Sequence, residues 1–300
     1  MVAFQALTWE SRDTDDEHLI SIFGKTEEGK SVCLTTAFTP YFFIKLPGNI
    51  TAPKIQRIYN ILDEKCKDSL VAYSVMKSKD VWGFQNNEEF AYMKVNFKHL
   101  QARRLVDSFL RKPLDRTPEL FDIFGVRNVK VYESNLDPVL RLMHRTGIQS
   151  TGWLDTGDKC IRSHLAHVDL DLFCNDWTTL KPVARDDIAP FVVASVDIEC
   201  NSSTGKFPDA NVPGDACFQI AISLCKFGSD EPYEKTCLCY KNTDPNLEGS
   251  TILSYPTERE MLEAFQKYLH KSDVDIITGW NIFGFDMEYI YKRAQVNRCH

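Results

Sequence analysis

Hydrophobic and polar positions in the first part of the chain change rhythm repeatedly. Between Phe4 and Leu46 β-branched and aromatic residues dominate, interrupted by the polar stretch Glu27-Glu28-Gly29-Lys30. Such a break between two apolar runs predicts an antiparallel hairpin of 19–23 with 31–35, followed by a third strand at 41–46. Beyond Pro53 the positions Ile55, Ile58, Ile61, Leu62 and Cys66 fall at helical spacing, with Thr51 or Ala52 at the entrance. A strand over 92–95 leads to a second amphipathic segment, in which Leu105, Val106, Phe109 and Leu110 share a face before Pro113 stops it. A strand at 126–132 comes next. Then Asp137 caps a helix that has Pro138 in its first turn and Gly147 past its end. Short strands and helices without a repeat predict an α+β domain over residues 1–185.

The polar stretch 181–187, ending at Pro190, reads as a seam. After it the pattern changes. Residues 191–200 are apolar on both faces through Val196, as in a central sheet strand. Phe218, Ile220, Ile222 and Leu224 alternate with less apolar neighbours, giving a half-buried strand of period two, and 236–240 is a shorter strand. Thr257 with Glu260 forms a capping box, and Met261, Leu262, Phe265, Tyr268 and Leu269 recur at helical spacing. A buried strand at 274–280 follows, and Asp286 opens a helix through Ala294. Strand, strand, strand, helix, strand, helix is the order in which a ribonuclease-H-like sheet begins, so an α/β domain is expected over 190–300.

Composition narrows the classes. With 43% hydrophobic and 26% charged residues the chain is in the range of folded domains. Its net charge of −7 is unusual for a protein that grips nucleic acid by itself, because phosphate neutralisation needs clustered Lys and Arg. Any DNA contact is therefore expected at a small site or with help from elsewhere. The 10 cysteines are scattered and include no Cys-x-x-Cys pair, which argues against a structural zinc and reads as reduced and intracellular. The first residues lack the basic-then-apolar order of a secretory signal, and no apolar run approaches the ~20 residues of a membrane span. The Asn-x-Ser/Thr matches at Asn49 and Asn201 then read as chance.

Two segments carry candidate chemistry. In Asp197-Ile198-Glu199 the carboxylates stand at i and i+2 of a strand, so both leave one face while Ile198 enters the opposite core. Adjacent acids repel unless a cation neutralises them, and hard divalent ions prefer such oxygen ligands. The plainer reading of this short motif is a solvated loop mouth. In Thr278-Gly279-Trp280-Asn281-Ile282-Phe283-Gly284-Phe285-Asp286 a strand delivers Asn281 into a Gly-containing bend and Asp286 to a helix entrance. Here the plainer reading is that Asp286 caps the helix and Asn281 satisfies a turn. Taken together, the segments put three acids at the ends of sheet elements where they could converge.

The run Ser195-Val196-Asp197-Ile198-Glu199-Cys200, then Gly205-Lys206-Phe207-Pro208, Gln219-Ile220-Ala221, and Ile277-Thr278-Gly279-Trp280-Asn281 with Phe285-Asp286, resembles in order and spacing the first two exonuclease motifs of family B DNA polymerases. Trp280 stands where the family often has Tyr. The resemblance extends over the whole chain: Phe4 to Glu10, Phe23 to Lys30, Phe38-Thr39-Pro40-Tyr41-Phe42 and Val131-Tyr132-Glu133-Ser134-Asn135 resemble the N-terminal domain of delta-type enzymes, most of all those of large DNA viruses of algae and protists. The resemblance implies an α+β N-terminal domain and the start of a ribonuclease-H-like, DnaQ-type 3′-5′ exonuclease domain. It implies that Asp197, Glu199 and Asp286 ligate two divalent ions, Mg²⁺ or Mn²⁺, that hydrolyse the primer 3′ end. It makes Asn281 and Phe285 contacts of the frayed single strand, with core packing as the equal alternative for Phe285.

The family's third exonuclease motif, a Tyr and a further Asp, and its polymerase palm motifs are absent from this sequence. The expectation is thus an N-terminal part of a replicative, proofreading DNA polymerase, itself inactive or crippled. Its implied partners are a DNA primer–template, the missing C-terminal polymerase domains and a sliding clamp, with no membrane. The implied location is intracellular, in the host nucleus or a cytoplasmic viral replication site. A standalone exonuclease and a non-catalytic DNA-binding or scaffold module are the alternatives. The N-terminal fold resembles RNA-binding modules in the family, yet no aromatic-plus-basic stacking strip is evident in the sequence.

Overall fold

The computed structural model describes residues 1–299; His300, the last position of the expected second domain, lies outside the described residues. The chain divides into two compact units, residues 1–26 with 30–185, and residues 27–29 with 186 onward.

In the first unit β1 (Ala3–Asp13), β2 (His18–Lys25) and β3 (Ser31–Ala37) form an antiparallel meander, with the expected hairpin at its second turn. β4 (Tyr41–Lys45) does not extend it. Its alternation buries Phe42 and Ile44 in a different core, beneath α1 (Ala52–Lys65), in which Ile58 and Leu62 are buried. β5 (Leu70–Ser78) and β6 (Phe90–Phe97) follow, then α2 (Leu100–Leu110). The buried face of α2 is Ala102, Val106 and Leu110, spaced by four; Leu105, expected on that face, points to solvent. The expected strand at 126–132 shrinks to β7 (Val131–Tyr132), preceded by α3 (Pro118–Phe124), whose Gly125 ends it in the left-handed region. Val126 is exposed and, among the described residues, pairs with no strand.

α4 (Pro138–Thr146) is built as its punctuation requires: the Asp137 carboxylate accepts from the N–H groups of Val139 at 2.8 Å and Leu140 at 3.3 Å, and Gly147 closes it at φ 76°. β8 (Trp153–Asp155), β9 (Cys160–Arg162), β10 (Leu170–Cys174) and β11 (Lys181–Val183) complete the unit. Among the described residues its strands form a sheet in the order β11-β8-β1-β2-β3-β10-β9 and another in the order β5-β6-β4-β7. The second sheet is antiparallel throughout. Leaving α3 aside, its chain order is β-α-β-β-α-β, the split-βαβ arrangement.

The second unit contains β12 (Val192–Cys200), β13 (Cys217–Lys226), β14 (Glu234–Tyr240), β15 (Thr251–Tyr255), α5 (Glu258–Lys271), β16 (Ile276–Thr278) and α6 (Asp286–Val296). They give a sheet ordered β15-β14-β13-β12-β16, with β12–β13 and β13–β14 antiparallel and β14–β15 and β12–β16 parallel. β15 is an added strand that its mostly exposed, partly polar sequence did not announce. β12 is not buried on both faces. Ala194, Val196 and Ile198 enter the core with Ile220, Ile222, Leu224 and Met261, while Ser195, Asp197 and Glu199 lie on the exposed face. The expected buried strand at 274–280 is three residues at the sheet edge, and Trp280 is 92% exposed. An edge strand has only one neighbour to bury it, so apolar composition alone misjudged its depth.

Among the described residues no helix is long and apolar enough to cross a membrane. All 10 cysteines are free thiols.

Candidate active site

β12 presents its acids by simple alternation. Ile198 anchors the strand in the core, and the period of two then puts both neighbouring carboxylates on the open face. Pairing in parallel with β16, in which Ser195 stands opposite Thr278, brings the bend after β16 against β12. The contact at that point is close. A Cβ at Gly279 would lie 2.4 Å from the Val196 carbonyl oxygen, so only glycine lets the bend approach.

The bend itself turns at Asn281, which has φ 50° and whose carbonyl accepts from Gly284 N–H at 2.9 Å and Phe285 N–H at 3.0 Å. Its side chain is exposed and lies over Gly284, where a Cβ would come 2.3 Å from Asn281 Oδ1. Ile282 is the buried pin of the bend. Phe285 holds the N-cap position of α6 without a capping side chain, so Asp286 is the first helical residue and not its cap. Asp286 is 4% exposed, and among the described residues its carboxylate has no hydrogen-bond or ion-pair partner. Its oxygens are not among the fully buried side-chain atoms that lack a partner, so they keep contact with solvent, where the positive end of the helix dipole favours their charge.

Phe285 satisfies both readings of its role. It packs against the core and meets Tyr289 at 5.2 Å between ring centroids, and it also meets the exposed Phe207 edge-on at 5.3 Å. Phe207 lies in the 201–216 connection between β12 and β13, and that connection is stapled from several sides. The Asp215 carboxylate accepts from Ser203 N–H and Oγ–H and from Asp209 N–H, which hold its pKa below the usual carboxylate value. Arg293 of α6 donates to the carbonyls of Ala210 at 3.0 Å and Val212 at 2.9 Å, and Tyr289 donates to the Asp215 carbonyl at 2.9 Å. Arg293 in turn forms a two-pronged pair with Glu258 of α5, at 2.7 and 2.5 Å, and Glu258 also accepts from Cys217 N–H at 2.9 Å.

Sequence reasoning missed this buried pair. Neither residue shows a motif, and the one available signal was a charge at a position that the helical period places inside. A cavity of about 320 Å³ between this connection and α6 is bordered by Phe207, Pro208, Gly284, Phe285 and Lys292.

Of the expected site residues, the fold therefore brings the 279–286 bend against the strand that bears Asp197 and Glu199. It does not gather the acids: among the described residues no set of three or more His, Cys, Asp or Glu side chains is close enough to hold a metal ion. Three like charges repel at short range, which opposes their assembly unaided. The donors nevertheless fit a hard divalent cation in kind, since all are carboxylate oxygens and those of Asp286 have no partner among the described residues.

The second unit is thus a mixed sheet with an acid pair on its penultimate strand and a third acid opening the helix that follows its edge strand. The family model for the exonuclease domain of DNA polymerase family B matches residues 129–299, and the chain belongs to that family. The DNA polymerase of Acanthamoeba polyphaga mimivirus is 31% identical over 97% of this chain and 18% of its own length. That of Paramecium bursaria Chlorella virus NY2A is 27% identical over 98% of this chain and 31% of its own. The DNA polymerase delta catalytic subunit of Schizosaccharomyces pombe is 25% identical over 100% of this chain and 28% of its own. The chain thus spans less than a third of the length of these relatives. Among solved structures, the family B DNA polymerase from the archaeon Pyrobaculum calidifontis shares the fold with a TM-score of 0.66 over 98% of this chain and 32% of that one, at 18% identity.

Proposed function

We propose that the chain is the N-terminal part of a replicative DNA-directed DNA polymerase and carries the first half of its 3′-5′ proofreading exonuclease, in a ribonuclease-H-like domain that starts near residue 190. The observation that carries this reading is Asp286, a largely buried residue whose carboxylate has no partner among the described residues and opens to solvent at the mouth of α6, on the bend packed against the strand of Asp197 and Glu199. Two Mg²⁺ or Mn²⁺ ions held by these three side chains would supply an activated water and charge neutralisation at the scissile phosphate. The chain's own residues then orient the strand end. Asn281 offers an exposed amide that both donates and accepts, and Gly284 leaves room beside it. Phe285 and Phe207 offer aromatic faces that tolerate any base, as an editor of mispaired ends requires. The substrate in this reading is a single-stranded primer 3′ end, and the site of action is wherever the parent polymerase replicates DNA inside the cell. A sliding clamp and the polymerase palm belong to the parent.

Calorimetric titration of the whole chain with Mn²⁺ tests the proposal. Saturable binding that disappears in both Asp197→Ala and Asp286→Asn supports it. The ungathered acids favour one second reading, a non-catalytic module with relic carboxylates, and Mn²⁺ heats indistinguishable from buffer in every form would establish that reading instead.

A further inference from the structure

Where β12 ends and β13 begins, the register of the pair shifts. Glu199 faces Gln219, but Cys200 faces Cys217, so Phe218 is the extra residue of a β-bulge. The bulge turns Cys217 onto the core side of the sheet, where it is fully buried and where Cys200 packs half-buried. One pair further on, Asn201 N–H donates to the Ala216 carbonyl at 3.1 Å, which makes those two a hydrogen-bonded pair. Pairs alternate along an antiparallel ladder, so Cys200 and Cys217 are of the closer, non-hydrogen-bonded kind, about 4.5 Å apart at Cα. The Cys217 N–H accordingly turns elsewhere, to the Glu258 carboxylate at 2.9 Å. The two thiols are hydrogen-bonded to one another, and that bond together with burial pushes the Cys217 thiol above its ordinary value.

A disulfide spans Cα separations of about 4.4–6.8 Å, so a facing pair of this kind can be bridged with little movement of the backbone. Two other pairs are less suited. Cys237 and Cys239 bring their sulfurs to 3.6 Å, but they stand two apart on one strand, where Cα atoms are about 6.6–6.8 Å apart, the limit of that span. Cys160 and Cys174 face each other across β9 and β10, yet both thiols donate to carbonyls, Cys160 to Thr156 at 2.9 Å and Cys174 to Asp176 at 3.3 Å, and bridging would break those bonds. Beside its partner thiol, Cys217 meets the Gln219 carbonyl at the longer distance of 3.5 Å.

We propose that Cys200 and Cys217 are a redox-modification site, joined reversibly by a hydroperoxide into a disulfide that closes the 201–216 connection at its base. The half-buried Cys200 sulfur, the more accessible of the two, attacks the peroxide, whose O–O bond breaks. One oxygen stays on Cys200 as the sulfenic acid, and the other leaves with the Cys200 proton as water or alcohol. The Cys217 sulfur then displaces the sulfenic oxygen, which departs as water with the Cys217 proton while the S–S bond forms. Two electrons pass in all from the sulfurs to the peroxide, and a small thiol reductant returns them. In a reducing compartment such a bond is transient, which suits a sensor and not a structural staple. Its consequence is local: Phe207 meets Phe285 from this connection, which Asp215, Tyr289 and Arg293 hold by hydrogen bonds in the reduced protein. The inference does not depend on whether the acids of β12 hold a cation.

The test treats the full chain with hydrogen peroxide in EDTA, which keeps stray metal from catalysing the oxidation. Remaining thiols are blocked with N-ethylmaleimide, and tryptic peptides are mapped by mass spectrometry without reduction. A dithiothreitol-sensitive link between peptides 186–206 and 207–226 is expected, with fragmentation placing it at Cys217 and not at Cys225. The bridged chain should unfold about 5 °C above the reduced one. Cys200→Ala should lose the link and unfold at the same temperature with and without peroxide. In Cys217→Ala the Cys200 sulfenic acid should persist and be trapped by dimedone. The proposal is overturned by Cys200 and Cys217 staying reduced while other thiols oxidise, by a bond at Cys225, or by equal midpoints for the bridged and reduced chains. Mapping the unaltered chain decides where the bond forms even if a variant does not fold. Because the Mn²⁺ titration is read on reduced protein, failure of one leaves the other standing.

Discussion

Glu258 and Asp286 occupy the same position in two helices of one unit, the first residue of α5 and of α6, and both are buried, at 6% and 4% exposure. Their surroundings differ completely. Glu258 accepts from Arg293 through both oxygens, from Cys217 N–H and from Asn297 Nδ2, and so joins α5, α6 and β13. Asp286 accepts from nothing among the described residues. Burial by itself therefore says little about a carboxylate's task. A saturated one is structural, because every lone pair is already used; an unsaturated one retains capacity for a cation.

The contrast can be broken most forcefully from the saturated side. Replacing Arg293 by Met strands the Glu258 charge and releases the loop carbonyls, and should cost about 3–5 kcal/mol in urea unfolding followed by far-ultraviolet circular dichroism. A loss under about 1 kcal/mol would mean that the pair does not clamp the 201–216 connection. Next in size is Gly279→Ala, which pushes a methyl onto the Val196 carbonyl; about 1–3 kcal/mol of destabilisation is expected, with loss of Mn²⁺ binding even though every carboxylate remains. Thr257→Ala removes the cap that precedes Glu258, accepting at 3.2 Å from Glu260 N–H, and should cost about 1 kcal/mol without touching Mn²⁺ affinity.

Asp286→Asn sharpens the comparison from the other side. Removing this unpaired charge should change stability by no more than about 1 kcal/mol while abolishing the metal heat, whereas a larger loss of stability would show that Asp286 is structural after all. The smallest effect concerns pH. The folded pKa of Asp215 is depressed below 3.8, so its contribution is present above that value and is lost as pH falls through the folded pKa. Acid unfolding of Asp215→Asn should accordingly show a flatter limb below about pH 4 than the parent.

Elements with complete punctuation were legible in the sequence. Asp137-Pro138 with Gly147, and Thr257 with Glu260, mark their helices because the caps are local bonds between residues two or three apart. Elements defined by partners were not legible. β4 looks like a continuation of the first hairpin, but its Phe42 and Ile44 find a core under α1, and it pairs with β6, far along the chain. The edge strand β16 looked deeply buried because its residues are apolar. The facing of Cys200 and Cys217 was invisible for a related reason: the two meet only through cross-strand register and the bulge within it.

Alternation around Ile198 and the glycine-rich bend before Asp286 can be read from the text, since both depend on covalent geometry and on local backbone preference. That determined which acids share a face and which family the chain belongs to. Which carboxylate would be saturated and which left open depended on where Arg293 arrives, a cationic side chain on a helix that reaches Glu258 across the fold. Pairings of that kind depend on the packing of elements distant in sequence, so only the tertiary structure could decide them.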